Sequence, residues 1–582
     1  MLQRVRRVRP PRIPRRSSAA QPYYTSAPPL HAEFERHPAF LDLSSQLDDA
    51  GLPAFAAHGE TSVRVLHEPR DFYQALLAKI RAAKRRIFIA SLYVGKEETE
   101  LVGTLHAALR GNPSLRVTLL VDYLRSTREH PGASSAALLA SLAAAFPDQV
   151  DLRLFHTPAL YGWQRRWVPK RFNEGWGLQH MKVYGFDDDV IMSGANLSHD
   201  YFTNRADRYI SFEAHAPLAD FFSSLVSTVA SFSFRATASD TSTPTPTPTI
   251  SWPSSNAVSA DPFAARRPGV ALSDLRAHAH EALSTLLETW HALPPPSRAA
   301  SLPPSLLSTP RPFTRRAPRP PAPGASHLHP AFDTLLRPVL QMAPFSLTHE
   351  TRAVVPGVFR AANALATAPG GQGTTLDWTS GYFGLREDYR RLAIECDARA
   401  NGFFGSKGVS RFIPPAYTYF SQRFYEQVDE YTRRKRRDEP RVEMSEWKRD
   451  GWTYHAKGIW LAPSVSNPFS PATPTSLSTT LLGSSHDAQT HDLALRLSHP
   501  SPPFLSLVGS SNFGARSATR DLEAGVLVTT HSTKLRWALE GEVRRIREWC
   551  RGGEVDAAMF ERPERKVPWL VKVAARRIEG ML

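Results

Sequence analysis

A histidine placed two residues ahead of a lysine occurs once in each half of this 582-residue chain, and the pair limits the folds open to it. The first half carries GLQHMKVYGFDDDVIMSGANLS, and the second carries WTYHAKGIWLA followed later by LVGSSNFGARS. His180 lies 16 residues before Asn196, and His455 lies 57 before Asn512. The difference, 41 residues, is the length of the Ser/Pro/Thr-rich stretch 463–503. With that stretch set aside, the two registers coincide. Residues two apart on a strand point to one face. His180 and Lys182 therefore project together, as do His455 and Lys457, and the return strand of a hairpin brings Asn196 and Asn512 beside them.

The surrounding pattern alternates helix and strand. Residues 71–85 have helical spacing, with Phe72, Leu76, Ile80 and Ala83 on one face. Strands are expected over 86–94, 115–123 and 150–155, with an Ala/Leu-rich helix near 134–146. A hairpin over 183–186 and 189–194 is closed by Asp187 and Asp188. The second half repeats the scheme: a strand over 374–383, helices near 387–399 and 416–437, and strands over 455–461, 505–509 and 522–529. This predicts an α/β protein of two lobes, each a mixed sheet flanked by helices, related by a pseudo-twofold axis because each supplies half the chemistry. The lobes are expected at 37–235 and 331–582. Proline is high, at 49 residues, and TSTPTPTPT and PPPSRAASLPPSLLSTPRP hold many of them, so 236–330 reads as a disordered linker with one helix near 272–292. The loop 463–503 is read the same way.

Composition removes several classes. Two cysteines, Cys396 and Cys550, exclude a disulfide framework and a Cys-rich zinc site. No run of 18 apolar residues exists to span a membrane as a helix, so membrane contact must be peripheral. The net charge of +16 calls for an anionic partner, nucleic acid or lipid. Residues 1–36 hold Arg4, Arg6, Arg7, Arg9, Arg12, Arg15 and Arg16 before the first acid, Glu33. That fits a mitochondrial transit segment, or else a basic tail for nucleic acid. RRKRR at 433–437 reads as a solvated helix end, a lipid-facing patch or a nuclear signal. VPWLVKVAARRIEGML at the C-terminus fits a membrane surface or a packed terminal helix. Residues 90–97 (ASLYVGKE) resemble an ATP-binding loop, but Glu97 stands where Ser or Thr would hold magnesium, so a core strand is preferred.

Two imidazoles, two ammonium groups and two amides converging on one pocket suit a phosphodiester. Lysine and asparagine bind the non-bridging oxygens. One histidine attacks phosphorus and the other protonates the leaving oxygen. Protein cations then carry the transition-state charge, and the chemistry requires no metal or other cofactor.

These residues resemble the phospholipase D superfamily, whose signature is HxKxxxxD followed by GxxN, twice. The first copy is complete, with His180, Lys182, Asp187, Gly194 and Asn196; in the second, Ala462 replaces the aspartate. The resemblance implies that an acid downstream of each asparagine orients an imidazole, and Asp207 and Glu523 match that place. Longer stretches (86–102, 179–209, 401–420, 453–461 and 507–524) are similar to the eukaryotic phosphatidylglycerophosphate synthases, which also lack the second aspartate. That similarity implies a mitochondrial enzyme, peripheral on the anionic inner membrane, making phosphatidylglycerophosphate and CMP from CDP-diacylglycerol and glycerol 3-phosphate, with no nucleic-acid partner. His180, in the complete copy beside Asp187 and Asp207, is expected to be the nucleophile, and His455 the acid and base. Arg516 and Arg520, following the second Asn, are candidates for the acceptor's phosphate or for surface ion pairs. Two other functions stay open: phospholipid or nucleic-acid hydrolysis, and a non-catalytic basic scaffold.

Because the register coincides without 463–503, replacing that loop by a short Gly/Ser link is expected to leave turnover within a few-fold, since long surface loops cost little to close. A folded deletion protein that has lost turnover in a product assay would place function in the loop.

Overall fold

The protein is described by a computed structural model over residues 38–128, 134–170, 172–238, 247–264, 268–292, 332–367, 374–381, 384–396, 398–403, 413–434, 442–463, 502–551 and 553–581. The Arg-rich start, the proline-rich stretch 293–330, residues 435–437 of the basic run and 464–501 of the insertion lie outside the described residues.

In chain order the strands of the first half are β1 (Phe55–Ala57), β2 (Val63–Leu66), β3 (Arg86–Ala90), β4 (Arg116–Asp122), β5 (Val150–Phe155), β6 (Val183–Phe186), β7 (Asp189–Ser193), β8 (Arg205–Ala206), β9 (Tyr209–Phe212), β10 (Phe234–Ala238) and β11 (Pro248–Ser251). Those of the second are β12 (Thr334–Met342), β13 (Leu347–Thr348), β14 (Thr374–Thr379), β15 (Arg399–Phe403), β16 (Glu443–Trp447), β17 (Thr453–Tyr454), β18 (Gly458–Pro463), β19 (Leu505–Gly509) and β20 (Glu523–Thr530). One sheet runs β11-β10-β5-β4-β3-β6-β7-β9-β2, and the other β1-β12-β20-β19-β18-β14-β15-β16 with β13 beside β12. The run β5-β4-β3-β6-β7-β9-β2 is thus matched by β16-β15-β14-β18-β19-β20-β12. In each, the first three strands are parallel and the rest antiparallel. The repeat seen in the motifs is a repeat of the whole sheet.

Local chemistry explains the elements. The helix Pro69–Ala82 starts where Glu68 and Asp71 cap each other's backbone N–H groups and Pro69 takes the first helical position. It buries Phe72, Leu76, Leu77 and Ile80 on the sheet. On β3, Ile87 and Ile89 join the core under the helices while Phe88 and Ala90 join the core shared with the second lobe. Beyond β3, the ATP-like segment continues as extended chain: Val94 bridges Leu197, and Gly95 N–H donates to Leu197 O at 2.7 Å. Strands β18 and β19 pair directly, Leu461 opposite Leu505, so the insertion leaves and re-enters at one point of a hairpin. Its structured edges lie inside the expected loop, because Pro463 ends β18, Pro502 O accepts from Arg536 at 2.6 Å and Phe504 is buried.

Two domain boundaries differ from the sequence expectation. The helix Pro38–Asp49 and β1 belong to the second lobe: β1 pairs with β12, Leu43 and Leu47 enter that lobe's core, and Arg337 bonds Asp48 at 2.7 Å. A three-residue strand and a helix with two buried leucines left too faint a period to show their partner. The expected linker also contains structure. β11 adds to the first sheet, and the helix Pro268–His291 buries Leu272, Leu275, Leu283 and Trp290 in the inter-lobe core, with Trp290 edge-on to Phe55 at 5.6 Å. The helix itself is the one expected near 272–292; its proline-rich flanks masked that it belongs to the core.

A buried ion pair also ties the lobes. Arg208 donates to both carboxylate oxygens of Glu542 at 3.0 and 2.9 Å and to Leu507 O at 2.8 Å, and stacks 3.9 Å over Trp460. Both charged side chains are 0% exposed. Gly458, at φ +155°, leaves room for the guanidinium; a methyl group there would stand 1.8 Å from Arg208 Nη1. Removing one partner of such a pair strands the other charge, a cost of about 3–5 kcal/mol. Glu542→Ala should therefore lower the urea midpoint well beyond any surface substitution, and the double replacement Arg208→Met/Glu542→Leu should regain much of the loss. An unchanged midpoint for Glu542→Ala would deny the pair its role.

Candidate active site

The two His-x-Lys segments are not inside strands. Each is the extended lead-in to a strand, His180–Lys182 before β6 and His455–Lys457 before β18. Both lead-ins lie alongside the other lobe. Gln179 bridges Leu522 in parallel, and His180 N–H donates to Leu522 O at 2.9 Å. β17 pairs in parallel with β8, and His455 N–H donates to Ala206 O at 2.8 Å. Leu522 and Ala206 immediately precede the two candidate acids. The acids are consequently exchanged between lobes: His180 Nδ1 lies 2.9 Å from Glu523, and His455 Nδ1 lies 2.7 Å from Asp207. The expectation that Asp207 orients His180 is corrected by this crossing.

The remaining groups close the pocket. Lys182 Nζ donates to His180 O at 2.6 Å, and Lys457 Nζ to His455 O at 2.8 Å, lying also 2.7 Å from His455 Nδ1. Asn196 donates to Tyr201 Oη at 3.2 Å, and Tyr201 Oη reaches His455 Nε2 at 3.4 Å. The side-chain oxygens of Asn196 and Asn512 are buried with no hydrogen-bond partner among the described residues. An amide rotated by half a turn presents its NH2 at the same spot, so both asparagines offer an unspent polar group to a ligand. Gly194 is required by space, because a methyl group there would lie 2.6 Å from Asp207 Oδ1 and 3.0 Å from Lys457 Nζ. Gly509 is likewise confined: a methyl group there would lie 2.7 Å from Gly525 Cα.

Asp187 is not brought to the pocket. It turns the β6–β7 hairpin at φ +51° and accepts from the backbone N–H groups of Lys84, Arg85 and Arg86 at 2.8, 2.8 and 3.0 Å. Burial pushes its pKa up, but those bonds and Arg85 outweigh it and hold the carboxyl below its ordinary value. Ala462 sits instead within β18, opposite Thr375, where the strand continues and no turn needs a cap. The missing second aspartate is thus a difference in hairpin shape. Arg516 donates to Asp521 at 2.9 Å and lies near enough for its charge to act on His180; Arg520 donates to Gly175 O at 2.9 Å.

The sequence reading missed four residues. Tyr201 contacts His455, and Ser510 bonds Glu523. Asp521 takes Leu178 N–H at 2.9 Å as well as Arg516. Its carboxylate, with His180 and Glu523, supplies ligand atoms within 4.8 Å of one another, though both Asp521 oxygens are already engaged. Glu350 lines the cavity that also touches Lys457, Ser510, Ser511 and Glu523, accepts from Tyr389 at 3.2 Å, and is pushed up to about 7 by burial. Asp521 alone left a legible trace, as the first acid of RDLEA.

Burial dominates the electrostatics. It pushes His180 well below the ordinary imidazole value, reinforced by Lys182, and does the same to His455, reinforced by Lys457. Lys182 is lowered to about 7 and Lys457 to about 8, in each case mainly by burial and against the pull of buried carboxylates. Burial raises Asp207 to about 6, opposed by Lys457, and raises Glu523, opposed by Lys182. Each neutral imidazole is held through Nδ1 by a carboxylate; Nε2 of His180 is left to act on substrate, while Nε2 of His455 faces the Tyr201 hydroxyl and Lys457 Nζ.

This geometry is a two-lobed α/β fold of the phospholipase D type, with both His-x-Lys segments brought to one pocket. Among solved structures, phosphatidylserine synthase of Haemophilus influenzae aligns with a TM-score of 0.56, at 16% identity over 93% of this chain and 99% of that one. No family model matches. Curated relatives called CDP-diacylglycerol–glycerol-3-phosphate 3-phosphatidyltransferase include that of Saccharomyces pastorianus, 32% identical over 96% of this chain and 95% of its own length. The Homo sapiens relative, whose name adds "mitochondrial", is 33% identical over 91% and 84%. The chain belongs to the CDP-diacylglycerol–glycerol-3-phosphate 3-phosphatidyltransferase family.

A pH profile tests the electrostatics. Asp207 gains a proton as pH falls through about 6 and lets go of His455, while the lysines lose theirs as pH rises through about 7 and about 8. The kcat/KM for an anionic donor should fall on both sides of that window, and the alkaline limb of kcat should lie at higher pH, since bound phosphate holds the ammonium protons. A flat profile across the window would contradict the assignment.

Proposed function

We propose that this chain makes phosphatidylglycerophosphate and CMP from CDP-diacylglycerol and glycerol 3-phosphate in two half-reactions at the shared pocket. The observation that carries the reading is the exchange of carboxylates between lobes, Glu523 to His180 and Asp207 to His455, in a chain of this family. His180 Nε2 attacks the phosphorus that bears the diacylglycerol. Its bond to the CMP oxygen breaks, and CMP leaves with the Nε2 proton of His455, an imidazole that takes up that proton when the anionic donor enters the pocket. A primary hydroxyl of glycerol 3-phosphate then gives its proton to His455 and attacks the phosphatidyl-histidine, releasing the His180 nitrogen. Lys182, Lys457, Asn196 and Asn512 hold the phosphoryl oxygens, and Arg516 takes the acceptor's phosphate.

The assignment of His180 as nucleophile no longer rests on Asp187 or Asp207. It rests on Tyr201, whose hydroxyl meets Nε2 of His455 and equips that imidazole to exchange protons. The doubled strand order supports the pseudo-twofold relation of the lobes. The relatives' names support a mitochondrial site of action, and we place the protein peripherally on the anionic inner membrane; no described helix is long and apolar enough to cross one. Those names also favour transfer over hydrolysis, and two complete His/Lys/Asn sets argue against a scaffold.

Incubation with CDP-diacylglycerol labelled in the diacylglycerol-bearing phosphate separates the readings. Lipid product should require glycerol 3-phosphate; phosphatidate formed equally well without it would mean a hydrolase. In His455→Ala, quenched quickly without acceptor, acid-labile label should accumulate on His180, and His180→Ala should carry none. Label on His455 in the latter variant would reverse the roles.

A further inference from the structure

Large apolar side chains left open to solvent concentrate, among the described residues, in two short segments. Trp163, Trp167 and Phe172 are 71, 75 and 66% exposed, and Trp569, Leu570 and Val573 are 70, 62 and 44% exposed. The second group lies on the helix Trp569–Ile578, whose other face, Val571 and Ala575, packs on Ala416, Tyr419 and Phe420. Folding therefore uses one side of this helix and leaves an apolar stripe on the other.

The chain following each segment comes to Arg520, three residues before Glu523 of the pocket. Arg520 donates to Gly175 O, three residues past Phe172, and a methyl group on Gly580, two past the helix, would stand 3.9 Å from Arg520 Nη2. Two residues further along, Leu522 O holds the His180 backbone. The local acids are engaged by arginines: Glu174 by Arg125 and Arg128, and Glu579 by Arg390 and Arg423. Lys170 and Arg577 are exposed in the same two stretches of chain, and Arg576 donates to Tyr419 on the packed side of the helix. Tryptophan with flanking lysine and arginine is the composition of a headgroup-level anchor on anionic lipid.

We propose that Trp163, Trp167, Phe172, Trp569, Leu570 and Val573 form one docking face for an anionic phospholipid bilayer, and that lipid enters the pocket past Arg520. The identity of the entering lipid rests on the transferase reading; the docking does not. Two variants of the full chain, W163A/W167A/F172A and W569A/L570A, are sedimented with vesicles of phosphatidylcholine alone or mixed with phosphatidylglycerol, and assayed on CDP-diacylglycerol dispersed in detergent. Wild type should pellet with the mixed vesicles in preference to phosphatidylcholine. Each variant, with unchanged circular dichroism, should lose about tenfold or more in partitioning while keeping detergent-phase turnover within a few-fold. Variants that partition like wild type, or a wild type that binds neither vesicle, would overturn the proposal. So would a wild-type dimer abolished by both variants while vesicle binding persists, which would assign the face to a second copy. Absent turnover in wild type, with vesicle binding still lost in the variants, would sink the transferase reading and leave the docking face standing.

Discussion

Two short parallel backbone pairings, one on each side of the pocket, set the conditions for everything else in the molecule. His180 N–H bonds Leu522 O and His455 N–H bonds Ala206 O, and each accepting carbonyl belongs to the residue just before the acid that grips that same histidine. A backbone bond and a side-chain bond to adjacent residues leave the imidazole little freedom. The same bonds make each lobe incomplete, since each supplies the carboxylate for the other's histidine. A one-residue slip at either crossing would turn the acid to the opposite face. The inter-lobe core has to prevent that slip, and the Arg208–Glu542 pair with Trp460 stands next to one crossing, since Arg208 follows Asp207 in the chain.

The pocket gathers charges that would be costly alone. Two lysines, two carboxylates and Asp521 are taken from water, and Arg516, partly exposed, pairs with Asp521. Their signs balance, which keeps the unliganded pocket tolerable, and burial still draws the lysines and carboxylates toward neutrality. An arriving phosphodiester changes that balance in one direction. Its negative charge restores the ammonium protons and raises the basicity of the imidazoles, so the lysines are fully charged only when substrate is present. The dipoles and cations are already in position at that moment, which is the condition under which low dielectric aids catalysis.

Much of this was legible before any coordinates. The coincident registers of His180/Asn196 and His455/Asn512 announced the duplicated sheet, and the β-branched runs placed β3, β4 and β5 to within a few residues. What stayed hidden was partnership. Spacing along one chain shows that Asp207 and Glu523 follow the asparagines, but not which histidine each meets, because exchange between lobes leaves the linear pattern unchanged. Asp187 misled for a related reason: it is fixed relative to His180 by the hairpin turn, and seven residues of separation carry it to the far end of that hairpin. The helix Pro268–His291 was visible as a helix, yet its proline-rich flanks concealed that it fills the core. Tyr201 and Glu350 bear no motif at all; only packing brings them to the site.

The duplication leaves open how two similar halves come to play unequal parts, and the answer lies in what surrounds each ring. Glu523 is held by Ser510 as well as by His180, so His180 faces a carboxylate fixed from two sides, and its hydrogen bonds run through Nδ1. That arrangement suits a nitrogen that must form and release a bond to phosphorus without turning. His455 has a carboxylate at Nδ1 and the Tyr201 hydroxyl at Nε2, with Asn196 behind the tyrosine. A hydroxyl can accept from an imidazolium and donate to an imidazole, so this ring is supported in both protonation states. In the proposed reaction one lobe contributes a fixed nucleophile and the other a proton exchanger, although the backbone that presents them is laid out twice in the same order.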